Sequence, residues 1–308
     1  MLAAIAYTMS RSVSAAIIGA WVAVGALAPA CANVITDWDE KAVAVVTPMV
    51  PAGVTPQVYT AQRMMGMVHA AMFDAVNSIE RRYRPYLVQL PADLTTSTEA
   101  AAAAVAAAVL ATIDQKTADE MKVALATYLA SIPDGGAKSD GVKLGEAVAA
   151  RVVEARANDG ADAPDAYRPR TTPGVYAPTA ITLASMWPNM KPFAIANPSQ
   201  FRPNPPISLE SKEWATDFNE LKDYGGKISA KRTAEQTETA RFWLMDGPAA
   251  YHPFVRQLVT AKQMSVGDSA RFMALVAVGL NDAFIAVFDA KIPLQLSAPN
   301  HCNSQRRY

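Results

Sequence analysis

Apolar residues recur at intervals of three and four along most of this chain, and that spacing constrains the fold more than any other feature. The stretch from Val58 to Ile79 is the clearest case. Such spacing places apolar side chains on one face of a helix, so it predicts amphipathic helices that pack together. The alternating stretch Ala42 to Val46 is too short to predict a strand. We therefore expect an all-α fold.

Capping sequences and glycines divide this pattern into separate helices. Thr96–Glu99 and Thr117–Glu120 have the form of capping boxes, which predict helices over Ala100–Ile113 and Met121–Ile132. The remaining predicted helices are Gly141–Ala157, Ser208–Tyr224, a helix capped by Thr233–Gln236 that runs through Met245, His252–Met264, and a long apolar helix from Ala270 to about Ala290. Short connections between such helices are typical of a helical bundle.

A proline-rich segment interrupts the helices between residues 158 and 206, where ten of the chain's 21 prolines lie. Proline lacks a backbone donor and disfavours helix in the residue before it, so the segment is predicted to be irregular. Trp187, Phe193 and Phe201 within it suggest packing onto the bundle. The predicted organisation is a bundle over 33–157, this belt over 158–206, and the start of a second bundle over 207–291.

The first 32 residues have the pattern of a secretory signal peptide. Arg11 is their single charged residue, an apolar run from Ser12 to Leu27 follows it, and Ala30-Cys31-Ala32 supplies a small-residue cleavage site. We expect cleavage near Ala32–Asn33 and export to the periplasm or medium, with no membrane association after cleavage. A retained membrane anchor and a lipid on Cys31 are the weaker alternatives.

Charge and cysteine content exclude several classes of function. The chain has 28 Lys and Arg against 28 Asp and Glu, so nothing favours binding to nucleic acid. The chain has two cysteines, Cys31 in the predicted signal peptide and Cys302 near the last residue. The body between them therefore carries no internal disulfide, CxxC pair or thiolate nucleophile. The chain also lacks the GxSxG, P-loop, GxGxxG and HExxH motifs.

Three polar residues inside apolar helices, His69, Asp74 and Asp282, are candidates for buried side chains with partners. The two aspartates could form an acid–base pair. The favoured interpretation is structural hydrogen bonding, with Arg63, His69 or Asn281 as possible partners of the carboxylates.

His69 is expected to be a hydrogen-bonded core residue, and His252 a local contact near a helix start. The three histidines of the chain, His69, His252 and His301, have no carboxylate at ligand spacing, so no zinc site is predicted. Lys291 ends the last long helix, where a cation interacts favourably with the helix dipole.

Several short segments together resemble the bacterial vanadium-dependent haloperoxidases, which are related to the PAP2 acid phosphatases. The resemblance covers about residues 34 to 291, and it depends on the order and spacing of the segments. They are Val34–Trp38, Val68–Asn77, Tyr83–Tyr86, Pro173–Tyr176, Trp187–Phe193, Phe201–Pro203, Arg232–Thr237, Phe242–Trp243 and Asp289–Lys291.

The resemblance implies a helical enzyme that binds vanadate and uses peroxide to oxidise a halide. In that family a lysine is followed after six residues by Arg-Pro, then by Pro-Ser-Gly-His, and later by another arginine and histidine. Lys291 matches the lysine and is therefore the one oxyanion ligand that the resemblance assigns. Ala298 stands where the arginine is due, and the two later segments have no counterpart.

Residues 292–308 lack the helical, apolar character of the preceding stretch. Codons can be chosen so that reading this tail one base later restores Arg-Pro at the spacing required after Lys291. We therefore hypothesise a frameshift and expect an inactive, destabilised fragment of a haloperoxidase. An intact PAP2-type phosphatase and a non-catalytic exported helical protein are the alternatives. The halide, the substrate and the oligomeric state stay open.

Overall fold

The computed structural model describes residues 33–47, 57–164, 167–168, 184–243 and 247–294. Over these residues the chain forms α-helices and short 3-10 turns and contains no strand, which confirms the all-α prediction. The described residues from Asn33 onward form one compact unit. The predicted signal peptide and the tail 295–308 lie outside the described residues.

The helices follow the predicted pattern closely, with shifted ends. Their bounds are α1 Val34–Val46, α2 Gln57–Glu80, α3 Thr98–Leu110, α4 Gln115–Leu129, α5 Gly136–Arg156, α6 Lys212–Tyr224, α7 Ala234–Phe242, α8 Pro248–Ala261 and α9 Val266–Leu294. Two 3-10 turns, Trp187–Asn189 and Pro198–Phe201, lie in the belt.

Helix α3 lies at the centre of the core. Its N-cap is Ser97, whose side chain accepts from the backbone N–H of Ala100, and almost every residue after its first turn is buried. Helices α1, α2, α4 and α5 surround it. The close approach of α5 requires glycine, because a Cβ added at Gly145 would lie 2.5 Å from the carbonyl oxygen of Ala101. The small side chains of α3 thus allow tight helix packing.

The caps of α3 and α4 and the start of α1 differ from the sequence prediction. Ser97, and not Thr96 of the predicted box, caps α3. The box at Thr117–Glu120 does not open α4. Asp114 caps it instead, by accepting from the backbone N–H of Thr117 at 2.7 Å. Helix α1 was not predicted at all, although Asn33 caps it by accepting from the N–H of Ile35. The residues Ala42–Val46 belong to this helix.

Helices α8 and α9 pack into the same core as α1 and α2, through residues such as Val255, Val259, Ala270 and Met273. Among the described residues, α9 contains a stretch, Val266–Lys291, that is long and apolar enough to cross a membrane, and half of its most apolar window is buried. Helices α6 and α7 behave differently, because neither buries a single residue. The predicted boundaries at 157 and 206 stay predictions.

Candidate functional site

Asp282, on α9, holds the belt in place. Its Oδ1 accepts from the backbone N–H of Phe193 at 2.7 Å, and its Oδ2 accepts from Ala194 at 2.6 Å and Ile195 at 2.9 Å. A carboxylate that accepts three amide hydrogen bonds is well satisfied inside a protein. The structural interpretation of this residue is therefore supported, and it fixes the belt against α9.

Asp74 performs the same task on α2. Its carboxylate accepts from the backbone N–H groups of Tyr86, Leu87 and Val88 at 2.7–2.8 Å. Burial raises the pKa of Asp74, and these three hydrogen bonds partly offset that rise. The prediction that it is buried was right, but the suggested partners were wrong.

Neither aspartate bonds to Arg63, His69 or Asn281. Arg63 instead pairs with Asp159 at 2.8 Å. Asn281 is fully buried, and neither amide atom has a hydrogen-bond partner among the described residues.

Arg156 connects the two anchored segments. Its guanidinium donates to the carbonyl oxygens of Lys191 and Pro192 and to the hydroxyl of Tyr86, and it lies 3.4 Å from the ring centroid of Phe193. Burial raises the pKa of Tyr86, an effect that Arg156 reduces. The loop after α2 and the belt thus meet on one buried cation, which orders residues that the sequence predicted to be irregular.

Lys291, the predicted oxyanion ligand, lies at the exposed end of α9. Its Nζ is 5.9 Å from the ring centroid of Phe288. The nearby cation Arg202 is engaged elsewhere, because its guanidinium donates two hydrogen bonds of 2.7 Å to the carboxylate of Asp289. An oxyanion with the charge of vanadate requires several converging donors. The described residues around Lys291 do not provide them, so they do not fit vanadate by themselves.

A second polar cluster, which sequence reasoning missed, lies at the junction of α1, α2 and α8. We call it the Asp39 cluster: Asp39, His69, His252 and Arg256. Oδ1 of Asp39 lies 2.8 Å from Nε2 of His69 and 2.5 Å from Nδ1 of His252, and Oδ2 accepts from Arg256 at 2.6 Å. Asp39 and both histidines are fully buried, and the two imidazole rings stack at 5.4 Å.

This cluster corrects two expectations. His252 is not a local contact, since its partner lies 213 positions away in the sequence. The histidines also do have a carboxylate within reach, and the three potential ligand atoms lie within 4.8 Å of one another. His69 is, as predicted, a hydrogen-bonded core residue. A polar residue at position 39 beside the buried Trp38 was the one available signal, and the distance along the chain concealed its partners.

Electrostatics define the protonation of the cluster. Burial raises the pKa of Asp39, but hydrogen bonds from His252 and His69 outweigh burial and leave the pKa well below its usual range. Burial lowers the pKa of His69 despite the neighbouring carboxylate. The carboxylate is therefore ionised and balanced by Arg256, and His69 is neutral at pH 7. In that state the Nε2–H of His69 donates to Asp39.

Comparisons with known proteins identify the fold. No protein-family model matches the chain, and no curated protein matches it. Solved structures do match it, and they place its architecture in the class of the vanadium-dependent haloperoxidases. The chain therefore has a vanadium haloperoxidase-type fold.

Three solved structures illustrate the match. The structure of the first bacterial vanadium-dependent iodoperoxidase has a TM-score of 0.68 and 18% identity over 88% of this chain. Holo-type and apo-type bacterial vanadium-dependent chloroperoxidase have TM-scores of 0.64 and 0.63, with 16% and 14% identity over 83% and 82% of this chain. The match spans 72%, 66% and 67% of those three chains, respectively.

Proposed function

We propose that these 308 residues carry the scaffold of a vanadium haloperoxidase-like protein but do not bind vanadate or oxidise halide on their own. The intact parent would use bound vanadate and peroxide to oxidise a halide. Lys291 would be one of several oxyanion ligands in that parent. The observation that supports this most directly is the combination of the fold with a single candidate ligand among the described residues, Lys291, near the end of α9.

The exposed face of α9 supports the proposal that the parent contains a portion that these 308 residues lack. Every fourth residue from Arg271 to Lys291 is exposed, and four of these six are apolar or small: Leu275, Gly279, Ala283 and Val287. Leu275 and Val287 are 56% and 53% exposed. A Cβ added at Gly279 would meet nothing within 4 Å. A stripe of this kind usually packs against another helix.

The similar structures contain 28–34% of their length outside the match. In the parent, we propose, the additional portion covers the exposed face of α9.

Export completes the proposal. We propose that residues 1–32 are removed near Ala32–Asn33 and that the protein acts outside the cytoplasm. Asn33 caps α1 and also donates to the hydroxyl of Ser269 at 2.8 Å. A mature chain that begins at Asn33 would keep both contacts.

The test begins with the gene, sequenced across the Lys291 codon and for several hundred bases beyond it. We expect one surplus base, with Arg-Pro, Pro-Ser-Gly-His and the last arginine and histidine segment in the corrected frame. The corrected protein should oxidise iodide with peroxide only after vanadate is added, and Lys291→Ala should weaken that activity. A genuine stop codon after Tyr308 with no such segments downstream would contradict the proposal.

A further inference from the structure

The Asp39 cluster holds three helices together by one carboxylate. Asp39 belongs to α1, His69 to α2, and His252 with Arg256 to α8, so all its hydrogen bonds join different helices. The bonds to His252 and Arg256 span more than 200 positions of the chain. A buried network of this kind stabilises the structure only while every member keeps its partner.

Each histidine ring has one nitrogen that does not face Asp39, here called its outer nitrogen, and these two atoms make the network sensitive to protonation. Neither Nδ1 of His69 nor Nε2 of His252 has a hydrogen-bond partner among the described residues, although both atoms are buried. A neutral ring can leave such an atom unprotonated. Protonation would add an N–H there with no acceptor, and a buried donor without a partner is strongly unfavourable.

No neighbouring negative charge offsets the cost of protonating these rings among the groups considered below. The charged groups of α9 and α3 have other partners or lie at an end of their helix. On α9, Asp268 pairs with Arg82 and Tyr83, Arg271 lies over Tyr83, Asp282 binds the belt and Asp289 binds Arg202; on α3, the single charged residue, Glu99, lies in the first turn. Within the cluster, Arg256 already balances Asp39, so each added proton would be an uncompensated positive charge.

A metal site fits the atoms of the Asp39 cluster less well than a hydrogen-bonded junction does. Histidines that bind a metal usually donate their other N–H to a carboxylate or carbonyl, and both outer nitrogens here lack such a partner. Nε2 of His69 and Nδ1 of His252 already hydrogen-bond to Oδ1 of Asp39, and the second oxygen of Asp39 accepts from Arg256. The described residues supply no fourth protein ligand. The geometry favours a hydrogen-bonded junction.

Of the three helices that the cluster joins, α8 has the fewest other buried residues to hold it in the core. It buries Pro248, His252, Val255 and Val259, whereas Phe254 and Leu258 are about half exposed. Helix α7, which precedes it, buries nothing. Apart from the cluster, two valines and a proline are therefore its main anchors in the core.

We propose that the Asp39 cluster is an acid-sensitive latch, which holds α8 on α1 and α2 at neutral pH and releases it when His69 takes up a proton. Release lets water reach the outer nitrogens and removes the cost of burying the added charge. A released histidine binds a proton below about pH 6.5. Opening should then become about tenfold more favourable for each pH unit below that value, for His69 alone.

Hydrogen–deuterium exchange of the full chain tests the latch, with uptake converted to protection factors so that the pH dependence of intrinsic exchange cancels. We expect peptides from α8 to lose about tenfold protection between pH 7 and pH 5.5. Peptides from α3 should keep theirs. Unchanged protection of α8, or an equal loss in α3, would overturn the proposal, since the second result means global unfolding.

A matched variant isolates the titration from the hydrogen bonds. In H69Q the amide nitrogen of glutamine replaces Nε2, and in H252N that of asparagine replaces Nδ1, so both donors to Asp39 remain but neither titrates. The double variant should keep α8 protected at both pH values. The same acid loss in this variant would overturn the latch.

His252→Ala gives the opposite test, since it should release α8 at pH 7 while α3 stays protected. If the double variant fails to fold, as lost α3 protection at pH 7 would show, the single variant H69Q replaces it and should reduce the acid response. Stoichiometric bound zinc in protein purified without chelator would contradict the junction and favour a metal site.

Discussion

The carboxylate of Asp282 accepts the backbone N–H of Phe193 at 2.7 Å across 89 positions of the chain. It also accepts the backbone N–H groups of Ala194 and Ile195, and the three hydrogen bonds together hold residues 193–195 against α9. One aspartate in an apolar helix thus determines where a proline-rich segment lies. Its position beside Phe193, which contacts Arg156 and Tyr86, also links α9 to the loop after α2.

Replacement of Asp282 by alanine should lower the free energy of unfolding by about 2–4 kcal/mol, because three backbone donors lose their acceptor. Asp282→Asn keeps one acceptor oxygen and should cost less. The control is Asp217→Asn, at an exposed position on α6, which should change stability by less than about 0.5 kcal/mol. Urea denaturation followed by circular dichroism measures all three. Equal stability of the alanine variant and the control would contradict this role.

Two glycines of α5 should respond to alanine in opposite directions. At Gly145 the added Cβ would lie 2.5 Å from a backbone oxygen of α3, so Gly145→Ala should lower stability by about 1–3 kcal/mol. At Gly136 nothing lies within 4 Å, so Gly136→Ala should leave stability unchanged or raise it by up to about 1 kcal/mol. Thermal unfolding of the pair checks the packing. A neutral Gly145→Ala would mean that α3 and α5 are farther apart.

Gly279 reports on the exposed face of α9. Because this glycine is in a helix and its Cβ position is open, Gly279→Ala should stabilise the chain by about 0.5–1 kcal/mol. In the longer parent, where we propose that another helix covers the stripe, the same substitution should destabilise. Chemical denaturation of both proteins compares the signs. Destabilisation of the 308-residue chain would show that this face is already covered.

Alkaline pH should weaken the fold through Tyr128, which packs against Trp38 with ring centroids 6.1 Å apart. Burial, followed by the charges of Asp37 and Glu99, raises the pKa of Tyr128 to about 12. The folded state therefore holds this proton more tightly than the unfolded state. That stabilisation is complete below about pH 10 and is lost as pH rises towards 12. Tyr128→Phe should show a smaller loss of urea midpoint over this range.

Much of the fold was predictable because α2, α5 and α9 carry apolar stripes, whose spacing identifies a helix without any knowledge of its partners, and because a capping sequence precedes the alanine-rich α3. The N-cap of α4 was less clear, since Asp114 and the box at Thr117 compete locally, and only the structure shows that Asp114 accepts from Thr117. The capping box at Thr233 was confirmed in full.

The polar contacts were harder to predict, for a physical reason. Asp74 and Asp282 could be recognised as buried because apolar residues surround them on their own helices. Their partners are backbone N–H groups, which leave no mark in the sequence. Asp39 finds its partners 30, 213 and 217 positions away, so only tertiary packing brings the cluster together.

Vanadate titration of the 308-residue chain, followed by ⁵¹V NMR, tests the central claim most directly. The account predicts no saturable binding at millimolar vanadate, and no difference between the wild type and Lys291→Ala, because one exposed lysine cannot replace the converging donors that the oxyanion needs. Stoichiometric binding that Lys291→Ala abolishes would show that the chain completes an oxyanion site by itself, and would contradict the account.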